Sequence, residues 1–126
     1  MGRIITRFEE KGLQIVGAKL MQISPELAAT HYKDHQGKGF YNGLVGFMTS
    51  SPVLVLAVRG IGAITIARSM MGATFGSKAA AGTIRGDFGH KDADAKMRNV
   101  CHASDSVEAA QAELKRFFKE DEIFNS

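Results

Sequence analysis

The spacing of apolar residues, together with residues typical of helix starts and ends, predicts four main helices. They cover residues 3–11, 24–35, 60–71 and 105–118. Gly12 and Gly72 close the first and third as residues suited to a left-handed helix end. Ser24 precedes Pro25 and predicts a capped helix start, and Asp105 is the expected N-cap of the last helix. Residues 40–48 are expected to form a further short helix or an irregular segment.

Three other stretches predict strands. Residues 13–22 begin with closely spaced apolar side chains, and Val53–Val58 is a continuous apolar run typical of a buried central strand. A short strand is expected at Asn99–His102. Between the last two, residues 72–97 are rich in glycine and lack periodicity. A loop of that length in a small domain is usually functional.

The order of these elements indicates an α+β fold. Helices and strands alternate, and one more strand at the front would complete the βαββαβ order of a ferredoxin-like domain. We therefore expect a single domain over residues 1–126, with an antiparallel sheet, helices on one face and the first strand missing. A strand missing from the centre of the sheet would leave backbone groups unpaired, so we expect a shortened form of a longer protein.

Composition narrows the function only slightly. The 126 residues suit one globular domain, and the net charge of +3 suits an anionic ligand without indicating a specific nucleic acid. The single cysteine, Cys101, excludes an internal disulfide. No apolar run approaches the roughly 18–20 residues of a membrane span. We expect a soluble cytoplasmic protein.

His102 is the first candidate for chemistry. It follows the last predicted strand and precedes a capped helix whose N–H groups favour anions. Ser104 supplies a nearby hydroxyl, and Glu113 lies two turns into the helix, from where a carboxylate can orient an imidazole nucleophile. Spacing alone still favours a purely structural histidine.

The glycine-rich segment is the second candidate. Four polar residues fall on or beside it, namely Arg68, Thr74, Lys78 and Arg85. Arginine can donate two parallel hydrogen bonds to phosphate oxygens. A solvated loop with scattered charge is the alternative, and it too is favoured by spacing alone. Aromatic rings around residues 32–41 offer a surface for stacking a base, although most such rings belong to cores.

Several motifs of the chain resemble those of a known protein family. Asn99-Val100-Cys101-His102-Ala103-Ser104-Asp105-Ser106 closely resembles the N-x-x-H-G-S-D-S motif of nucleoside diphosphate kinases. The segment from Gly82 to Phe88, the segment from Phe40 to Val45, and Met71-Gly72-Ala73-Thr74 resemble the same family in the same order. The resemblance extends from residue 2 to about residue 124.

The resemblance implies a ferredoxin-like fold and a ping-pong transfer of a γ-phosphate between nucleotides. It implies His102 as the phosphorylated nucleophile, with Glu113 to orient it and Ser104 to hydrogen-bond Glu113. It also implies Tyr32 as a supporting residue. The implied nucleotide contacts are Phe40 on the base, Asn99 on the sugar, and Arg68, Thr74 and Arg85 on the phosphates. The implied cofactor is Mg²⁺ carried by the nucleotide, and the implied assembly is a hexamer or tetramer.

The chain departs from the family pattern in three ways. The initial strand with its K-P-D segment, which supplies a phosphate-contacting lysine, is not seen before Gly2. The stretch of residues 90–97 is about four residues longer than in the family pattern, and we expect it to be a surface excursion. Ala103 and Ala81 replace a glycine and a proline. A truncated, weakly active or inactive subunit is therefore the alternative to an active kinase. An RNA-binding module is disfavoured, because Val53–Val58 contains no aromatic residue.

Overall fold

The described part of the chain forms an α+β structure. The computed structural model describes residues 1–39, 41–73, 78–89 and 100–124. Within these ranges the helices are α1 (Gly2–Glu10), α2 (Pro25–His31), α3 (Tyr41–Met48), α4 (Ala63–Met71), α5 (Ile84–Phe88) and α6 (Val107–Phe117), and the strands are β1 (Gln14–Met21) and β2 (Val53–Arg59). Short 3₁₀ turns follow α2 and α6.

The two strands pair antiparallel, with Lys19 opposite Val55 and a register shift between Ile15 and Gly17. The expectation that Val53–Val58 is a buried central strand is wrong for the described residues. β2 pairs there with β1 alone, and most of its side chains are only half-buried. A continuous apolar run indicates that both faces of a strand are suited to burial, but it does not show that other elements of the chain bury them.

Two apolar clusters belong to the core of the described ranges. The first joins Phe8, Leu13 and Ile84, and so ties α1 and the start of β1 to α5. The second joins the two strands to the end of α6 through Val16, Ala57 and Phe118. The sheet and the helices that flank it therefore fix the positions of α5 and α6, which hold the candidate residues.

The helix ends follow local chemistry, with two corrections. Ser24 accepts from the Leu27 amide as predicted, but α2 ends at His31, and residues up to 35 continue as a 3₁₀ turn. The N-cap of α6 is Ser106 instead of Asp105, because the Ser106 hydroxyl accepts from the Ala109 amide. Both residues are good caps, and the choice between neighbours depends on the direction in which the chain enters the helix.

The segment predicted as one long loop contains α5. Thr83 caps this helix by accepting from the Gly86 amide, and the buried Ile84 anchors it to the core. Five residues are too few to show a helical period in the sequence. The expected excursion at residues 90–97 lies outside the described residues.

The short strand predicted at Asn99–His102 is not formed where the chain is described. Asn99 itself lies outside the described residues, and Cys101 and His102 have no strand conformation. A strand requires a partner that completes the hydrogen-bond ladder, and neither β1 nor β2 pairs with this segment.

We predict that Gly86→Ala destabilises the protein and that Gly46→Ala does not. Both glycines lie in helices, but a Cβ at Gly86 would overlap the Ala80 carbonyl oxygen. Apart from the nearby backbone of its own helix, no described atom lies within 4 Å of a Cβ at Gly46. The first change should cost about 1–3 kcal/mol of unfolding free energy, and the second should be neutral or stabilising by up to about 1 kcal/mol. Urea denaturation measures both. Equal stability of the two variants would contradict the packing around α5.

Candidate functional site

Two arginines hold the main chain on either side of His102. The Arg85 Nη2 atom donates to the Cys101 carbonyl oxygen at 3.0 Å, and the Arg68 Nη1 atom donates to the Ala103 carbonyl oxygen at 3.4 Å. Ala103 replaces a glycine of the family motif without backbone strain, because every positive φ in the described residues belongs to a glycine. The segment is therefore fixed by cations that approach it from α4 and α5.

Arg85 is the most deeply buried charge in the described structure, with 6% of its surface exposed. Besides Cys101, its guanidinium donates to the Gly72 carbonyl oxygen at 3.4 Å, so it links the end of α4 to the His102 segment. Its Nε atom has no hydrogen-bond partner in the described residues. Burial is the main cause that lowers the pKa of Arg85. Arginine remains charged even so.

The His102 imidazole is exposed to solvent on part of its surface and enclosed by protein on the rest. Its ring lies 6.2 Å from the Tyr32 ring in an edge-to-face arrangement of 67°. Desolvation by the surrounding protein, followed by electrostatic interactions with Arg85 and His31, lowers the pKa of His102 to about 4. The imidazole is neutral at physiological pH.

Tyr32 is buried, with 7% of its surface exposed. Burial, followed by the charge of Glu113, raises the pKa of Tyr32 to about 12. The phenol therefore stays protonated across the physiological range. The edge of its ring lies beside His102, and the phenol interacts electrostatically with Glu113.

Ser104 and Glu113 connect the His102 segment to α6. The Ser104 hydroxyl donates a hydrogen bond to Glu113 Oε2. Within the described residues this is the hydrogen bond that Glu113 makes, and none joins Glu113 to His102. The carboxylate thus fixes the residue two positions after the nucleophile candidate.

A further group, which sequence reasoning missed, lies beyond Tyr32. The His31 ring meets the Tyr32 ring at 4.6 Å and the Phe117 ring at 5.0 Å, both edge to face. The Arg116 Nη1 atom is 3.0 Å from His31 Nδ1. The helical spacing of Arg116, three residues after Glu113, was a signal in the sequence that these two side chains share a face.

Cys101 is half-buried and packs against α4. Its thiol lies 3.2 Å from the Met71 sulfur, and desolvation raises its pKa. A thiol with a raised pKa holds less of the reactive thiolate, so this contact is one of packing.

The structure brings together six of the predicted site residues. They are Tyr32, Arg68, Arg85, His102, Ser104 and Glu113. The predicted base contact Phe40, phosphate contact Thr74 and sugar contact Asn99 lie outside the described residues. Lys78 is exposed on the described part of the glycine-rich segment.

The arrangement combines a neutral nucleophile with cations. An uncharged imidazole beside arginine side chains can attack an electrophilic phosphorus while positive charge stabilises the phosphate oxygens. No cluster of three or more His, Cys, Asp or Glu side chains able to hold a metal occurs in the described ranges. None of the described helices is long and apolar enough to cross a membrane.

Comparisons with known proteins agree with the motifs. The family model for "Nucleoside diphosphate kinase" matches residues 1–123. A nucleoside diphosphate kinase of Desulforamulus reducens is 52% identical over 125 residues, which are 99% of this chain and 81% of that protein. One of Bacillus cereus is 50% identical over 123 residues, which are 98% of this chain and 80% of that protein.

A solved structure gives the same picture. The nucleoside diphosphate kinase of Halobacterium salinarum in complex with CDP superimposes with a TM-score of 0.91 at 42% identity, and the match covers 100% of this chain and 82% of that one. This similarity supports an α+β fold with a ferredoxin-like arrangement.

We predict that the His102 imidazole titrates near pH 4 in the folded protein, well below the ordinary value of about 6.5. Between these values the unfolded chain binds a proton that the folded chain does not. The free energy of unfolding should therefore decline as the pH falls from about 6.5 to about 4. Heteronuclear NMR of labelled histidine measures the folded midpoint, with the urea-unfolded chain as control. A folded midpoint at or above 6.5 would contradict the site geometry.

Proposed function

This chain belongs to the nucleoside diphosphate kinase family, and from that premise we propose that His102 carries a phosphoryl group between two nucleotides. The kinase is a phosphotransferase that takes the γ-phosphate of a nucleoside triphosphate and gives it to a nucleoside diphosphate. The observation that supports His102 most is its partly exposed, neutral imidazole in a segment fixed by Arg85 and Arg68.

The proposed reaction has two half-steps. In the first, a ring nitrogen of His102 attacks the γ-phosphorus. The bond from that phosphorus to the bridging oxygen breaks, and the nucleoside diphosphate leaves with the bond electrons. In the second, a terminal oxygen of another nucleoside diphosphate attacks the phosphorus of the phosphohistidine. The phosphorus–nitrogen bond breaks, its electrons return to the ring nitrogen, and His102 is neutral again. The low pKa supports this scheme, because protonation would remove the attacking lone pair.

Arginines and hydroxyls of the chain would hold the phosphates. Arg68 is exposed beside the His102 segment and is the better placed for direct contact. Arg85 is buried, so it contributes positive charge and holds the main chain. Thr74 is proposed as a further phosphate contact, Asn99 as a sugar contact and Phe40 as the stacking ring.

We assign the divalent cation to the nucleotide. Mg²⁺ prefers phosphate oxygens and water to an all-protein cage, and the two arginines beside the site can neutralise the remaining phosphate charge. When bound, Mg²⁺ would neutralise charge on the β- and γ-phosphates. Glu113, Ser104 and Tyr32 would meanwhile keep the imidazole and its segment in place.

The alternative of a weak or inactive subunit is not favoured. A chain that only bound nucleotide would not need a neutral imidazole whose segment is tied to α6 through Ser104 and Glu113. The proposal also includes a cytoplasmic location, where nucleotide substrates are abundant, and no specific nucleic-acid partner.

Assembly into a hexamer or tetramer is part of the proposal. Its support is the number of large apolar side chains that the described single chain exposes. They include Leu20, Ile61, Val107 and Phe124, with 63%, 99%, 59% and 68% of their surfaces exposed. Apolar area of this kind is removed from water when copies associate.

We predict that His102→Ala abolishes phosphoenzyme formation. The wild-type protein incubated with γ-labelled ATP should acquire acid-labile label, because a phosphorus–nitrogen bond hydrolyses in acid. The variant should acquire none, since the proposal assigns the attacking nitrogen to His102. Peptide mapping by mass spectrometry locates the phosphate. Label that persists in the variant, or that maps to His31, His35 or His90, would overturn the assignment.

A further inference from the structure

Arg116 and His31 form a polar contact that the proposed chemistry does not use. The Arg116 Nη1 atom lies 3.0 Å from His31 Nδ1. A guanidinium has only donors, so Nδ1 must be the acceptor. This contact fixes the tautomer of His31, with its ring proton on Nε2. The ring is therefore held in a defined orientation.

His31 lies directly against the residue that borders the nucleophile. It precedes Tyr32 at the end of α2, and the two rings meet edge to face at 4.6 Å. The Tyr32 ring in turn meets the His102 ring at 6.2 Å. An unbroken series of contacts thus leads from the Arg116 guanidinium to the His102 imidazole.

The same face of α6 reaches the site by a second route. Glu113 precedes Arg116 by three residues, so the two side chains lie on one side of the helix. Glu113 accepts from Ser104, two residues after His102, while Arg116 reaches His31. One helix therefore holds both the segment that carries the nucleophile and the ring beside it.

We propose that Arg116 and His31 are a positioning pair that keeps Tyr32 edge-on against His102, so that the imidazole keeps the orientation needed for attack on phosphorus. The inference rests on the proposed role of His102. We place neither member of the pair in contact with phosphate. Their effect is on the rate of the chemical step and not on nucleotide affinity, since a small misplacement of a reacting group slows chemistry strongly.

The test compares variants by single-turnover phosphorylation of His102 at saturating ATP. His31→Leu removes the acceptor and keeps apolar bulk, Arg116→Met removes the donors and keeps the stem, and His31→Asn keeps an acceptor near the place of Nδ1. Lys115→Met is the matched control, because Lys115 is an exposed cation in the same turn of α6.

We expect His31→Leu and Arg116→Met each to slow phosphorylation about tenfold, with the ATP concentration for half-maximal rate changed less than about twofold. His31→Asn and Lys115→Met should stay within about twofold of the wild-type rate. The double variant of His31→Leu with Arg116→Met should be no slower than either single variant, because both remove one interaction. Nitrogen-15 NMR should show His31 Nδ1 unprotonated in the wild type and its tautomer no longer fixed in Arg116→Met.

A wild-type rate in Arg116→Met, or losses that multiply in the double variant, would overturn the positioning pair while His102 remained the labelled residue. Failure of wild-type His102 to take up label would overturn the proposed function instead. Circular dichroism and thermal unfolding report whether each variant folds. If His31→Leu does not fold, Arg116→Met and His31→Asn still decide the question.

Discussion

The site depends on one buried cation. Arg85 is almost completely buried, and its two terminal nitrogens donate to the carbonyl oxygens of Gly72 and Cys101. Burial of a charge is costly unless hydrogen bonds compensate it. Those bonds join the end of α4 to the segment that carries His102. The cation that secures the backbone is also one of the charges that keep the His102 imidazole neutral.

The elements around Arg85 explain why it can be buried. α5 is short and begins at a Thr83 cap, and its neighbour Ile84 belongs to the core cluster of α1 and β1. From the other side α6 contacts the site through Glu113, which accepts from Ser104, and Arg116, which contacts His31. The nucleophile candidate is thus held by side chains from several helices, while part of its own surface stays open to an incoming phosphate.

Much of this arrangement could be predicted from the sequence, for identifiable reasons. Local signals such as the Ser24 cap, the Gly12 helix end and the strand at 13–22 act within a few residues, so the pattern contains them. The motif around His102 indicated the family, and the resemblance to that family suggested the candidate site residues. The burial of Arg85 and the contact between His31 and Arg116 depend on packing between residues far apart in the chain. No local pattern encodes these contacts.

Isolation of the phosphorylated protein tests the central claim most directly. The chain would be labelled with γ-labelled ATP, freed from nucleotide by gel filtration, and then mixed with unlabelled GDP alone. The account predicts that label leaves the protein and appears as GTP, with His102 returned to its free form, because the phosphoryl group resides on the protein between the two half-steps. Label that stays on the protein, or transfer that occurs only when ATP and GDP are present together, would contradict it.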